Sequence, residues 1–144
     1  YSQMSLWSVA SAPLLVGTDL IHATNDTLKI LTNKEVVAIN QDLGAGPGHF
    51  QGTVVHSVAG VSEVWRKLLS DGSSAGVVLL NLADGTAGSA TIATTAAQIG
   101  LVDPHGVRVR DLWSKTDLPD VAKGASITAA VPSHGTVFLK VTAK

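Results

Sequence analysis

Trp7-Ser-Val-Ala-Ser-Ala-Pro13-Leu-Leu-Val-Gly17-Thr-Asp19-Leu20 reads as the end of a helix, a tight turn and a buried strand. Upstream, Met4, Trp7, Ala10 and Ser11 recur at helical spacing, with no capping box to open the helix. Pro13 lacks an N–H and restricts Ala12, which ends it. Leu14-Leu-Val16 shows no polar alternation, so it suits a strand covered on both faces, as in a parallel barrel. A lone parallel strand has no pairing partners, so this unit is expected to be the end of something larger. Asn25 or Asp26 is positioned to cap the helix that follows, with Leu28 and Leu31 on its buried face. Asn33 is the expected stop, and Lys34 to Asn40 gives another helical turn.

Leu43-Gly-Ala-Gly-Pro-Gly48 carries three glycines and a proline in six residues and reads as a linker or wide turn. Beyond it the hydrophobic period becomes two. The expected strands are His49–Val58, Val61–Leu69, Ala75–Leu82, Gly88–Thr94, Val107–Trp113, Ala125–Val131 and Thr136–Thr142. Turn signals separate them at Asp71-Gly72, Asp84-Gly85, Pro104-His-Gly106, Lys123-Gly124 and Pro132-Ser-His-Gly135. Thr95 to Leu101 is expected to be a short helical or irregular crossing. Ile127/Ala129/Val131 and Val137/Leu139/Val141 each give a strand one apolar face. Val77 to Leu82 is apolar on both faces and is expected at the centre of a sheet. Strands at this spacing predict an antiparallel sandwich.

Composition agrees with a packed core. In 144 residues, 45% are hydrophobic and 15% charged, far from the balance of a disordered chain. Ten basic and eleven acidic residues are spread evenly, so no basic stripe offers itself to nucleic acid. The apolar runs are too short for a membrane-spanning helix. The absence of cysteine excludes disulfides and thiolate zinc sites within these residues.

Three further segments complete a pattern. Asn40-Gln41-Asp42 follows the second helix, Val109-Arg110-Asp111-Leu112-Trp113-Ser114 lies in an expected strand, and Val131-Pro-Ser-His134-Gly135-Thr-Val-Phe-Leu-Lys140 forms an expected hairpin. Together with Trp7–Asp42 they closely resemble, in order, glycoside hydrolase family 27, the α-galactosidase family. The resemblance covers nearly the whole chain. It implies a mainly β chain in which an antiparallel β-sandwich is preceded by the last strand and helices of a truncated (β/α)8 barrel. Residues 1–45 correspond to the barrel remnant and 49–144 to the sandwich domain. It also implies that the parent enzyme cleaves terminal α-galactosyl or related residues by double displacement. Its two catalytic aspartates are expected before Tyr1, and nothing in this chain matches their segments. The implied partners are the N-terminal barrel portion of the same enzyme and, through that barrel, a galactoside substrate. No metal or organic cofactor is implied, and neither is nucleic acid or a membrane.

Retaining hydrolysis requires two carboxyl groups about 5–5.5 Å apart across the scissile bond. Asp71, Asp84 and Asp103 sit beside Gly or Pro, where aspartate serves turns. Thr18 and Asp19 lie just past the Leu14–Val16 strand, at the end where barrel enzymes place their sites. They are expected at the rim of the sugar pocket; the alternative is that Asp19 caps the next turn or braces a neighbouring strand. His22 can approach a ligand there or sit in a solvated loop. None of the five histidines forms an i,i+4 pair, so a metal site has no support. A non-catalytic carbohydrate-binding or interaction module is the competing reading. It requires exposed aromatic platforms, and sequence does not say which face Trp65 and Trp113 take.

Overall fold

The computed structural model describes residues 1–46, 51–84, 88–103 and 105–144. Three helices come first: α1 (Ser2–Val9), α2 (Asn25–Leu31) and α3 (Lys34–Gln41). Eight strands follow: β1 (Thr53–Val58), β2 (Ser62–Leu68), β3 (Ser74–Asn81), β4 (Ser89–Thr95), β5 (Val107–Asp111), β6 (Thr116–Val121), β7 (Ser126–Pro132) and β8 (Thr136–Ala143). Six of them form one sheet in the order β1-β2-β3-β8-β5-β6, and β4 pairs with β7 in a second. Every pairing is antiparallel.

The layers follow from side-chain parity. Val77, Leu79, Leu139, Val141 and Val109 point from the large sheet toward Ile92, Ile127 and Val131 of the small one, forming the sandwich core. Val78 and Phe138 point the opposite way and meet Met4, Val9, Val36 and Ile39 of α1 and α3 in a second core. β3 is therefore buried along its whole length, as its two-sided apolar sequence predicts. Gly76 lets α3 approach: a Cβ there would sit 2.7 Å from Ile39 Cγ2.

Several expectations are corrected. The buried face of α1 is Met4, Ser5, Ser8 and Val9, while Trp7 stays exposed. Thr24, in extended conformation, caps α2 by accepting the Thr27 N–H, so the cap precedes Asn25 and Asp26. No residue of α2 is fully buried: Leu28 is exposed, and it is Ile30 that packs on the second core. Asn33 does not merely stop α2; it is the N-cap of α3. Leu14–Val16, expected as a strand, joins neither sheet: the Leu15 N–H bonds Pro13 O two residues back, a γ-turn. β6 goes beyond the expected strands. Residues 96–100 form turns. Parts of the expected linker (Pro47, Gly48), of the first expected strand (His49, Phe50) and of two turns (Gly85, Pro104) lie outside the described residues.

Candidate functional site

Asp19, the acid expected at a pocket rim, is an exposed turn cap. Its Oδ1 accepts the N–H groups of Ile21 (2.9 Å) and His22 (3.3 Å), and its Oδ2 lies 2.6 Å from His22 Nδ1. The His22 ring and then these backbone donors hold the Asp19 carboxyl below its ordinary value. Thr18 is exposed beside it. Asp19 and His22 are thus brought together, and the capping alternative accounts for the position of Asp19.

All eleven carboxylates have structural partners. Asp26 pairs with Lys29, Asp120 with Lys144, and Asp84 lies 3.3 Å from His134 Nε2. Asp71 and Asp111 accept backbone N–H groups in tight turns, Asp103 accepts Gly124 N–H, and Glu63 accepts the Trp65 indole N–H at 2.7 Å. Asp42, Glu35 and Asp117 serve the joint between helices and sheet.

That joint is the most elaborate polar construction among the described residues. Lys67, fully buried on β2, extends its ammonium group to the end of α3. It donates to the carbonyls of Ile39 (2.7 Å), Asn40 (3.2 Å) and Asp42 (2.6 Å) and to Ser11 Oγ (2.7 Å). The last carbonyls of a helix lack intrahelical donors and carry partial negative charge, so a cation here satisfies both needs. Burial pushes the Lys67 pKa down, against the pull of the Asp42 carboxylate. Asn40 Nδ2 donates to Trp7 O and Ala12 O, closing the end of α1. Asp42 accepts from Ser70 N–H and Oγ and from Gly44 N–H. Burial opposes ionisation of Asp42, but the Ser70 side chain, these backbone donors and Lys67 leave its pKa below the ordinary value.

At the other end of α3, Asn33 Oδ1 caps the Glu35 and Val36 N–H groups while its Nδ2 donates to Leu112 O. Arg110 grips Glu35 with two hydrogen bonds, Nε to Oε2 at 2.6 Å and Nη2 to Oε1 at 2.9 Å, and turns its third nitrogen to Asp117. The Arg110 bond is the main reason the Glu35 pKa is lowered. The Trp113 indole N–H donates to Ser5 Oγ of α1. Sequence reasoning passed over Lys67. Its signal was parity: it shares the inward face with Trp65 and Leu69, where a lone lysine requires a buried acceptor set.

The outer side of the helical layer is apolar and open. Met4, Trp7, Leu14, Leu15, Val16, Leu31 and Val37 line a groove of about 240 Å³ with Gln41, and Leu15 is 87% exposed.

Comparison with known sequences matches residues 59–141 to the family described as alpha galactosidase C-terminal beta sandwich domain. The chain belongs to the α-galactosidase family, glycoside hydrolase family 27. Residues 1–42 match a second model, alpha galactosidase A, so the helical segment carries the family's pattern as well as the sandwich. A probable alpha-galactosidase of Dictyostelium discoideum is 38% identical over 142 residues, 98% of this chain and 35% of the relative. An alpha-galactosidase of Oryza sativa subsp. japonica is 40% identical over 92% of this chain and 29% of its own length. Alpha-galactosidase I from Mortierella vinacea superposes with a TM-score of 0.80 at 27% identity, over 99% of this chain and 36% of that one. The chain thus spans about a third of the length of these relatives. The two matched spans meet at the joint between helices and sheet. Asn40 and Asp42 close the helices onto β2, and Arg110, Leu112 and Trp113 grip α1 and α3.

Proposed function

We propose that these residues are the C-terminal portion of a retaining α-galactosidase-like glycoside hydrolase acting on terminal α-D-galactosyl residues. In this reading residues 1–45 complete a (β/α)8 barrel and residues 49–144 are its sandwich domain. The catalytic aspartate pair belongs to the rest of the enzyme. The observation that carries the reading is the family pattern, matched over residues 1–42 and 59–141. A retaining mechanism needs one free nucleophilic carboxylate and one proton-donating carboxyl facing each other.

The partner is the remainder of the barrel. Leu14–Val16 belongs to neither sheet and lines an apolar groove, a position that added barrel strands would cover. Parallel strands are covered on both faces, which would bury Leu15 and Val16. Thr18 and Asp19 then sit at the strand's C-terminal end, as rim residues that shape the pocket edge and make no bond to the reacting atoms.

The test is hydrolysis of a chromogenic α-galactoside. These 144 residues alone should show no turnover, and the chain joined to the preceding barrel should show it with retention of anomeric configuration. Asp19→Asn in that longer protein should keep kcat within about tenfold, because an amide oxygen still caps the turn. Turnover by the isolated residues, or loss of kcat by several orders of magnitude in Asp19→Asn, would overturn the assignment of the chemistry to other segments.

A further inference from the structure

The segment that leads to Asp19 leaves α1 through a strained turn. Ser11 has φ 53°, a left-handed conformation that disfavours every residue with a side chain. The bonds around it form a Schellman motif: Ala12 N–H donates to Trp7 O at 2.9 Å and Ser11 N–H to Ser8 O at 3.3 Å. Glycine is the usual residue at the left-handed position of that motif, and proline commonly follows, as Pro13 does here. Serine thus stands where glycine would be unstrained. Strain of this kind persists where the surroundings over-determine it, and it clusters at functional sites.

The surroundings come from the sheet. Lys67 Nζ donates to Ser11 Oγ at 2.7 Å, and the same nitrogen holds the Ile39, Asn40 and Asp42 carbonyls at the end of α3. Asn40 adds a second tie, from its Nδ2 to Ala12 O at 2.9 Å. Asp42 is pinned in turn by the Ser70 N–H and hydroxyl, just past β2. Lys67 is wholly buried among these groups, so further chain can extend its surroundings without opening them.

What the tie fixes is direction. Glycine at position 11 would make the same turn but would offer Lys67 nothing to hold. The serine hydroxyl lets a β2 residue orient the turn, and with it the chain that follows. Pro13 then has a fixed φ, Leu14 packs on the second core, and Thr18 and Asp19 come a few residues later. We propose that Ser11 and Lys67 are positioning residues of the enzyme, which set the exit direction of the segment carrying Thr18 and Asp19 and so the fit of the sugar at the pocket rim. This rests on the glycosidase reading above; neither residue touches the substrate.

The test uses the chain joined to the preceding barrel, with a chromogenic α-galactoside as substrate and free galactose as competing ligand. Ser11→Gly removes the hydroxyl and relieves the strain, so its urea midpoint should hold. Its KM and the inhibition constant of galactose should both rise about three- to tenfold, the range of one hydrogen bond, with kcat within about twofold. Lys67→Met should raise KM by a similar factor, and the double variant should raise it no further, because both changes cut the same tie. Ile127→Val, in the sandwich core away from the joint, should lower stability and leave KM unchanged. Ser11→Gly keeps the test decisive if Lys67→Met fails to fold. An unchanged KM in Ser11→Gly, or effects that multiply in the double variant, would overturn the positioning role and leave the glycosidase reading standing. A wild-type joined chain that hydrolyses no α-galactoside would overturn the glycosidase reading, and this proposal with it.

Discussion

Replacing Lys67 with methionine removes the ammonium group while keeping a long unbranched side chain. In the wild type, Nζ serves three carbonyls and one hydroxyl at 2.6–3.2 Å, and the residue is wholly buried. A buried polar group stripped of its partner costs about 1–3 kcal/mol. Carbonyls keep a second lone pair and lie toward the low end, so the three carbonyls sum to roughly 3–4 kcal/mol. Against this, the variant no longer desolvates an ammonium, a penalty of several kcal/mol that the wild type offsets only in part through its acceptors. The relieved desolvation subtracts from this, and the net expectation is a loss of about 1–3 kcal/mol.

Urea unfolding measures it, with the midpoint falling and the slope unchanged. The pH dependence adds a sign. Burial lowers the folded pKa of Lys67 beneath its unfolded value of about 10.4. Between the two values the unfolded chain holds more protons than the folded one, so wild-type stability should rise with pH across that window. Below the window the penalty is fully present. Lys67→Met should abolish this alkaline rise. A destabilisation under about 0.5 kcal/mol, or a rise that survives in the variant, would refute the description of Lys67 as the donor that closes α3.

Glu35 has its carboxyl held down by Arg110, so its contribution is full above its unfolded pKa and is lost as pH falls through the lower folded value; acid titration of Glu35→Gln by circular dichroism should show a flatter loss than wild type. Gly76→Ala places a Cβ 2.7 Å from Ile39 Cγ2 and should cost about 1–3 kcal/mol in a thermal or urea melt, with Ile39→Ala in the same chain recovering part of it. Asn33→Ala removes a cap from α3 and the bond to Leu112 O together, and should cost about 1–3 kcal/mol in urea, more than an isolated N-cap. Proteolytic nicking within residues 43–48 should leave the two pieces co-eluting in gel filtration, because the second core and the Lys67 and Arg110 bonds join them without the peptide link.

The sheets were legible because burial writes itself into parity. β3 shows two apolar faces and lies between two cores; β7 and β8 show one apolar parity each and turn it toward the sandwich. β6 left no such mark. Thr116–Val121 is exposed at all but its last residue, carries Pro119, and lies at a sheet edge where proline and acids are tolerated. Caps were readable as residue types but not as positions: Thr24, Asn25 and Asp26 are all competent, and only the extended backbone of Thr24 selects it. The candidate rim was half legible. Asp19 is a preferred cap residue in a turn, and its bonds to residues two and three ahead show that cap, whose geometry a linear sequence does not contain.

Packing and polar bonds divide the work of holding the helices on the sheet. The helical layer has little cohesion of its own: α1 buries Ser5 and Ser8 along with Met4 and Val9, and α2 buries nothing fully. The sheet, in turn, presents Val78 and Phe138 on the face opposite the sandwich core, with Leu69 and Leu112 beside them. Each part covers what the other leaves open, and apolar contact alone would let the helices slide over that face, since it is not directional. Register comes from the polar bonds. Lys67 recognises only a helix C-terminus, Asn33 and the Glu35–Arg110 fork fix the helix N-terminus, and Trp113 ties α1 through Ser5. Fixing both ends of α3 sets its rotation and translation, and Lys67 with Asn40 carries that placement to Ser11 and Ala12, where the segment leading to Asp19 begins. The position of that segment thus depends on a β2 lysine, and substitutions at the joint should shift the Asp19 turn without altering any residue in it.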